Sequence, residues 1–207
     1  DSGDTDVIFL KGIGQKHQGL EVEGSMKLND MVRLDGAVSF GKWKFDGDAD
    51  GLYTEYAEDA PIQTAYTYTL DGLYVGDQPQ TAYVLGTTLT PMDGLRLQGI
   101  FKMYDKNYAD WSPDSRELSG DADRSQVWQA PAYNRLDLHA AYKLPKIAGY
   151  DMTLTGHLFN ALDAVYVQDA VDNSQYNGFG DKLHLAHNAE VFLGTPRYFN
   201  LGLTVNF

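Results

Sequence analysis

Few residues in this chain have the types and spacing that carry chemistry. The run Asp46-Gly47-Asp48-Ala49-Asp50-Gly51 sets three carboxylates two residues apart around glycines, a pattern that lets oxygen ligands converge on a hard cation such as Ca²⁺. An EF-hand loop would require Glu at position 57; Ala57 stands there, with Glu58 one place late. A calcium loop of another kind on Asp46, Asp48 and Asp50 therefore competes with the simpler reading of an acidic, solvated turn. The histidines are His17, His139, His157, His184 and His187. His184 and His187 are three apart and could meet only on a helical turn; as loop residues they suit contact with a metal-chelate ligand, or plain polar filling. No Ser-His-Asp spacing, paired-carboxylate cleft or phosphate-binding glycine loop stands in a convincing context, so no enzyme and no cofactor beyond that calcium is expected.

The scaffold for these residues is bounded by composition. The chain has 207 residues, with 16 Lys plus Arg against 29 Asp plus Glu, a formal charge of −13. Such an acidic surface argues against nucleic acid as a partner. Without cysteine there is no disulfide, thiolate metal site or Cys nucleophile. No apolar run is long enough to cross a bilayer as a helix. The 14 Tyr and 21 Gly point to a β-rich chain.

Alternation with period two is the dominant pattern, and it places every second side chain on one face of a strand. Phe199, Leu201, Leu203, Val205 and Phe207 alternate with Asn200, Gly202, Thr204 and Asn206. The same rhythm predicts strands through Leu20–Leu28, Val32–Phe40, Tyr83–Leu89, Leu95–Met103, Leu136–Tyr142 and Tyr150–Leu158, with Ile100 out of pattern and a weaker strand over Asp6–Leu10. Glu21, Glu23, Arg33, Arg96, Lys102, Asp137, His139 and His157 fall on the polar faces.

Connections alternate between short and long. Asn29-Asp30, Pro91–Gly94 and Pro145–Gly149 are turns, whereas Asp46–Gln80, Ala109–Pro131 and Asp163–Val191 are long loops. Sorting loop length by rim is the habit of outer-membrane β-barrels. The acidity sits in the long loops: the first holds Asp46, Asp48, Asp50, Glu55, Glu58, Asp59, Asp71 and Asp77 with no Lys or Arg. Its Gln63–Val75 stretch reads as a hairpin standing above the bilayer, and Tyr66, Tyr68, Tyr74, Trp111, His184 and His187 are the loop residues expected to meet a ligand. Trp43, Phe45, Tyr104, Tyr108, Trp111, Tyr166 and Tyr198 are expected to form an aromatic girdle at the membrane boundary.

The C-terminal third carries a further pattern. Asn160-Ala-Leu-Asp163-Ala-Val-Tyr166, then Gly194-Thr-Pro-Arg197, then a closing strand to Phe207, resembles the end of TonB-dependent outer-membrane receptors. Gly19-Leu20-Glu21 and Pro79 before the Thr81 strand also fit. Ala161 departs mildly from the larger apolar residue commoner at its position. The resemblance implies that residues 1–207 are the C-terminal segment, about eight strands, of an all-β, antiparallel transmembrane barrel of 22 strands. The plug domain would lie outside this chain, and the long loops would face the cell exterior. It also implies import of a scarce ligand such as an iron chelate, cobalamin or glycan. The partners implied are the rest of the barrel and plug, outer-membrane lipid, the inner-membrane TonB complex and a small extracellular ligand. The alternative is a complete small eight-stranded barrel acting in adhesion or as a structural protein.

Overall fold

The computed structural model describes residues 7–56, 60–116, 123–146, 149–174 and 183–206. In chain order the strands are β1 (Val7–Lys11), β2 (Gln15–Lys27), β3 (Val32–Phe45), β4 (Ala49–Tyr56), β5 (Pro61–Tyr68), β6 (Thr81–Met92) and β7 (Leu95–Asp105). They continue as β8 (Asn107–Tyr108), β9 (Gln129–Ala130), β10 (Tyr133–Lys143), β11 (Asp151–Phe159), β12 (Val167–Val171), β13 (Glu190–Leu193) and β14 (Tyr198–Asn206). Helix among the described residues is limited to one turn, α1 (Pro113–Arg116).

Seven strands form one antiparallel wall in the order β14-β11-β10-β7-β6-β3-β2, so each wall strand pairs with the next one in sequence. The register keeps one parity across the whole sheet. Leu20 lies opposite Phe40, Val38 opposite Tyr83, Leu85 opposite Phe101, Leu97 opposite Ala140, and Leu154 opposite Leu203. Leu20, Val22, Met26, Leu85, Leu201 and Leu203 are each more than half exposed. A large aliphatic side chain left in water forgoes about 1.5–3 kcal/mol, so a continuous face of them calls for a nonaqueous neighbour. The other parity is polar: Glu23, Lys102 and Arg135 share one cross-strand row, and Arg33, Gln98, His139, His157 and Asn200 share another. Ile100 belongs to this face, opposite Gly86 and Asp137.

The short turns are held locally. The Asn29 side chain accepts from the backbone N–H of Met31 and Val32 at 2.8 and 2.9 Å. Gly94 takes a φ of +79°, a backbone conformation that side-chain-bearing residues rarely adopt.

Three expectations change. The first strand does not join the wall: β1 pairs with β4, which pairs with β5, in a separate three-stranded sheet at the long-loop rim. That sheet contains the strand pair expected in the first loop, formed by β4 and β5 rather than by 63–75. The girdle fails on parity. Trp43, Tyr104 and Tyr198 lie opposite His17, Tyr133 and Phe159 on the polar side, while Phe45 and Tyr166 are buried. The lipid-facing assignment of Phe207 lies outside the described residues. Among those residues the outer edges of β2 and β14 are unpaired and the wall is not closed. In lipid each unsatisfied backbone group costs several kcal/mol, so these edges require neighbouring strands.

Buried apolar side chains gather in the loops instead of the wall. Phe45, Ala49, Tyr68, Leu70, Leu73 and Val127 form the core, with Ile8, Leu10, Tyr66, Val75, Tyr108 and Trp111 packed against it. The molecule is a bare wall beneath a globular cap.

Candidate functional site

The polar face of the wall carries a fixed charge network. Asp137, almost fully buried, accepts from Lys102 Nζ at 3.0 Å and from the Asn160 backbone N–H at 3.0 Å, with Arg135 3.6 Å away. Nearer the short turns, Arg33, Asp35, Arg96 and Gln98 line an open hollow of about 860 Å³. The imidazoles of His139 and His157 meet with their Nδ1 atoms 2.8 Å apart.

The motif that suggested a family proves to be a clasp between loop and wall. Asn160, at φ +48°, uses its side chain to accept from Ala164 N–H at 3.0 Å and to donate to the carbonyls of Ala164 and Thr195 at 2.9 and 3.2 Å. Asp163 accepts from the Arg197 N–H at 3.2 Å. The buried Tyr166 stacks on Tyr133 and accepts from Arg135 at 3.1 Å. Residue 194 has to be glycine here, because a Cβ would fall 2.0 Å from the Tyr166 ring.

Residues expected in the loops take other places. Tyr68 is buried, in contact with Trp111 at a centroid distance of 5.7 Å, and Tyr66 packs beside it at 6.4 Å. Tyr68 is thus cap core, not an exposed ligand contact. Tyr74 stacks on Tyr108 at 4.2 Å with Lys44 Nζ 4.4 Å from its ring. Burial and Tyr74 push the Tyr108 hydroxyl up to about 12. His187 is exposed.

The three acidic residues proposed for calcium do not converge. Asp48 binds Arg124 through both oxygens at 3.0 and 2.7 Å and accepts from the N–H groups of Leu70 and Asp71. The Arg124 guanidinium holds its carboxyl down at about 2. Asp50 accepts from the Thr67 hydroxyl at 3.3 Å. No group of three metal-ligating side chains occurs among the described residues. A calcium ion at Asp48 would have to displace Arg124.

The cap is closed by a buried polar knot that the sequence did not reveal. Arg116 is fully buried; Nη1 donates to the Ser125 carbonyl at 2.7 Å and Nη2 to Asp172 Oδ2 at 3.4 Å. His184 sits between two carboxylates, Nδ1 at 2.5 Å from Asp172 and Nε2 at 2.6 Å from Asp123. With both carboxylates ionised, each ring nitrogen donates to one of them, which is the doubly protonated imidazolium. Burial opposes that charge, but the hydrogen bonds to Asp172 and Asp123 outweigh it and raise the His184 pKa. Thr69 ties in the first loop, its N–H 2.8 Å from the Arg116 carbonyl and its hydroxyl 2.8 Å from that of Asp123. His184 is therefore a strut inside the cap rather than a surface ligand. One sequence signal pointed here: Arg116 and Arg124 are the only bases in the second loop, and each pairs with a carboxylate of a different loop. Close by, burial and the charge of Asp169 raise the Asp110 carboxyl, while burial and Asp77 raise that of Asp169.

An antiparallel sheet with an apolar outer face, a charged inner face, tight turns on one rim and a folded cap on the other is part of a transmembrane β-barrel. Residues 2–161 match the family described as TonB dependent receptor-like, beta-barrel, and the chain belongs to that family. No curated protein sequence matches it. Among solved structures it is similar to BauA, the ferric preacinetobactin receptor from Acinetobacter baumannii, at 16% identity and a TM-score of 0.44. The match covers 93% of this chain and 29% of that receptor.

Proposed function

We propose that this chain forms the last part of the wall of an outer-membrane importer, with the capped rim outside the cell, and that it helps capture a scarce ligand such as an iron chelate, cobalamin or glycan. On this reading the remaining strands pair with the edges of β2 and β14. A plug fills the lumen against the polar face and contacts the inner-membrane TonB complex. The observation that carries the proposal is the division of labour: a charged lumen wall lies directly below a cap knitted from all three long loops. An acidic cap favours cationic or neutral cargo over free anions.

Orientation is tested by single cysteines in the complete receptor, since this segment contributes no thiol of its own. Thr64→Cys on β5 should react with a membrane-impermeant maleimide on intact cells, and Asp93→Cys in a short turn should not. The reverse pattern would sink the orientation. Uptake of labelled ferric chelates, cobalamin and oligosaccharide in cells lacking the receptor then tests the cargo; no deficit for any of them would count against import.

A further inference from the structure

Wall strands β10 and β11 bring two imidazoles edge to face on the lumen side, their planes 60° apart. His139 and His157 are direct register partners, with Nδ1 atoms 2.8 Å apart. At that separation one nitrogen donates and the other accepts, so the pair holds one proton between two lone pairs. We propose that this pair is a two-imidazole site for a borderline divalent cation, of the class Cu²⁺, Ni²⁺ or Zn²⁺. The cation takes the place of the shared hydrogen: each Nδ1 contributes its lone pair, the proton of the donor ring moves through solvent to its own Nε2, both imidazoles stay neutral, and no electron is transferred.

The geometry is close to what such an ion needs. Metal–nitrogen bonds of about 2.0–2.1 Å at a tetrahedral angle set the two nitrogens roughly 3.3 Å apart, so the rings have to open by only about half an ångström. The rings are already held in place. Phe159 packs 5.5 Å from the His139 ring and 6.0 Å from His157, and Tyr198 stacks on Phe159 at 4.6 Å. Beside the pair is a hollow of about 360 Å³ lined by Arg96, Gln98, Ala141 and Phe159, which leaves room for further ligands.

Selectivity follows from the neighbours. No third His, Asp or Glu completes a ligand group among the described residues. Asp137, two positions along β10, is engaged by Lys102 and the Asn160 N–H. The chain therefore supplies two ligands and leaves the others to water or to an anion attracted by Arg96. That guanidinium repels any dication, and hard ions such as Ca²⁺ gain too little from imidazole to overcome it. Ions that bond strongly to nitrogen do overcome it, Cu²⁺ foremost. The site depends only on the facing of these residues and stands whether or not the barrel imports anything.

The test is titration of the complete, detergent-purified receptor with CuCl₂, followed by calorimetry and electron paramagnetic resonance. The expected signal is a site with two nitrogen ligands. His139→Gln and His157→Gln should each weaken it by more than the roughly 10–100-fold that losing an outer-sphere partner costs. His17→Gln should leave it unchanged. Unaltered copper binding in either folded glutamine variant would overturn the proposal. If the variants fail to assemble, the unmodified receptor decides: Zn²⁺ should protect both imidazoles from diethyl pyrocarbonate, and equal modification with and without Zn²⁺ would overturn the site as well.

Discussion

The wall and the cap of this chain are built on opposite physical terms. In the wall, large apolar side chains point outward and are exposed, and the face turned to the lumen is charged. In the cap, Phe45, Tyr68, Leu70 and Leu73 are buried as in a water-soluble domain, and polar groups as costly as Arg116 and Asp172 are buried with them. The wall derives its stability from lipid outside and from a ladder of regular backbone pairs. The cap derives its stability from itself. Each half can therefore be damaged by a change that the other would tolerate.

The largest effect is expected in the knot. Asp172→Ala removes the buried carboxylate from the fully buried Arg116 guanidinium, and breaking a buried pair in this way costs about 3–5 kcal/mol. The purified receptor should then show early protease cleavage in the long loops while the strands stay intact. Simultaneous loss of both would show that wall and cap form one cooperative unit. Next comes the wall. Leu85→Arg on the outer face should cost about 2–4 kcal/mol at the bilayer midplane, while Val84→Arg on the inner face costs little. Equal effects in a lipid-vesicle unfolding assay would break the assignment of faces.

Smaller effects are expected from protons. Because the folded-state pKa of His184 is raised above the ordinary 6.5, its contribution to the cap is complete below that value and fades as pH climbs through the raised one. Loop proteolysis should accelerate on the alkaline side, and His184→Gln should remove that dependence. Asp48 has the opposite sign: its carboxyl is lowered from 3.8 to about 2, so its contribution is present above 3.8 and is lost as pH falls toward 2. Arg124 is a largely exposed partner, so this effect is the smallest. Arg124→Gln should remove this acid-side loss of the cap in the same proteolysis assay, because the guanidinium is what holds the Asp48 carboxyl down. An unchanged acid limb would separate that loss from the Asp48–Arg124 pair.

The same contrast explains what could be read from the sequence. Strand positions and inward residues such as Lys102 and Asp137 were legible because period two is a local property of consecutive residues. The girdle was misplaced although the information was present. Tyr104 lies three residues from Phe101 and Trp43 three from Phe40, and an odd step moves a side chain to the other face. The Asn160–Tyr166 run was recognisable as a pattern, but its purpose as a clasp appeared only once Thr195 and Arg197 stood beside it. The cap resisted sequence reading for a different reason. Arg116 meets Asp172 across 56 positions and Arg124 meets Asp48 across 76, and no periodicity announces such pairs. Tyr68 and His184 read as ligand-contacting loop residues because loops are usually taken as exposed.

Surface loops are the segments that homologues normally vary most freely. At this rim that freedom is curtailed by the buried Arg116. The second loop supplies the guanidinium, the third its carboxylate and imidazole, and the first the Thr69 hydroxyl that donates to the second loop's carbonyls. A foreign loop inserted in place of 163–191 alone would leave an ion stranded in the two loops that remain. The unit of exchange here is the trio, and a chimera should assemble a protease-resistant cap only when all three segments come from one parent.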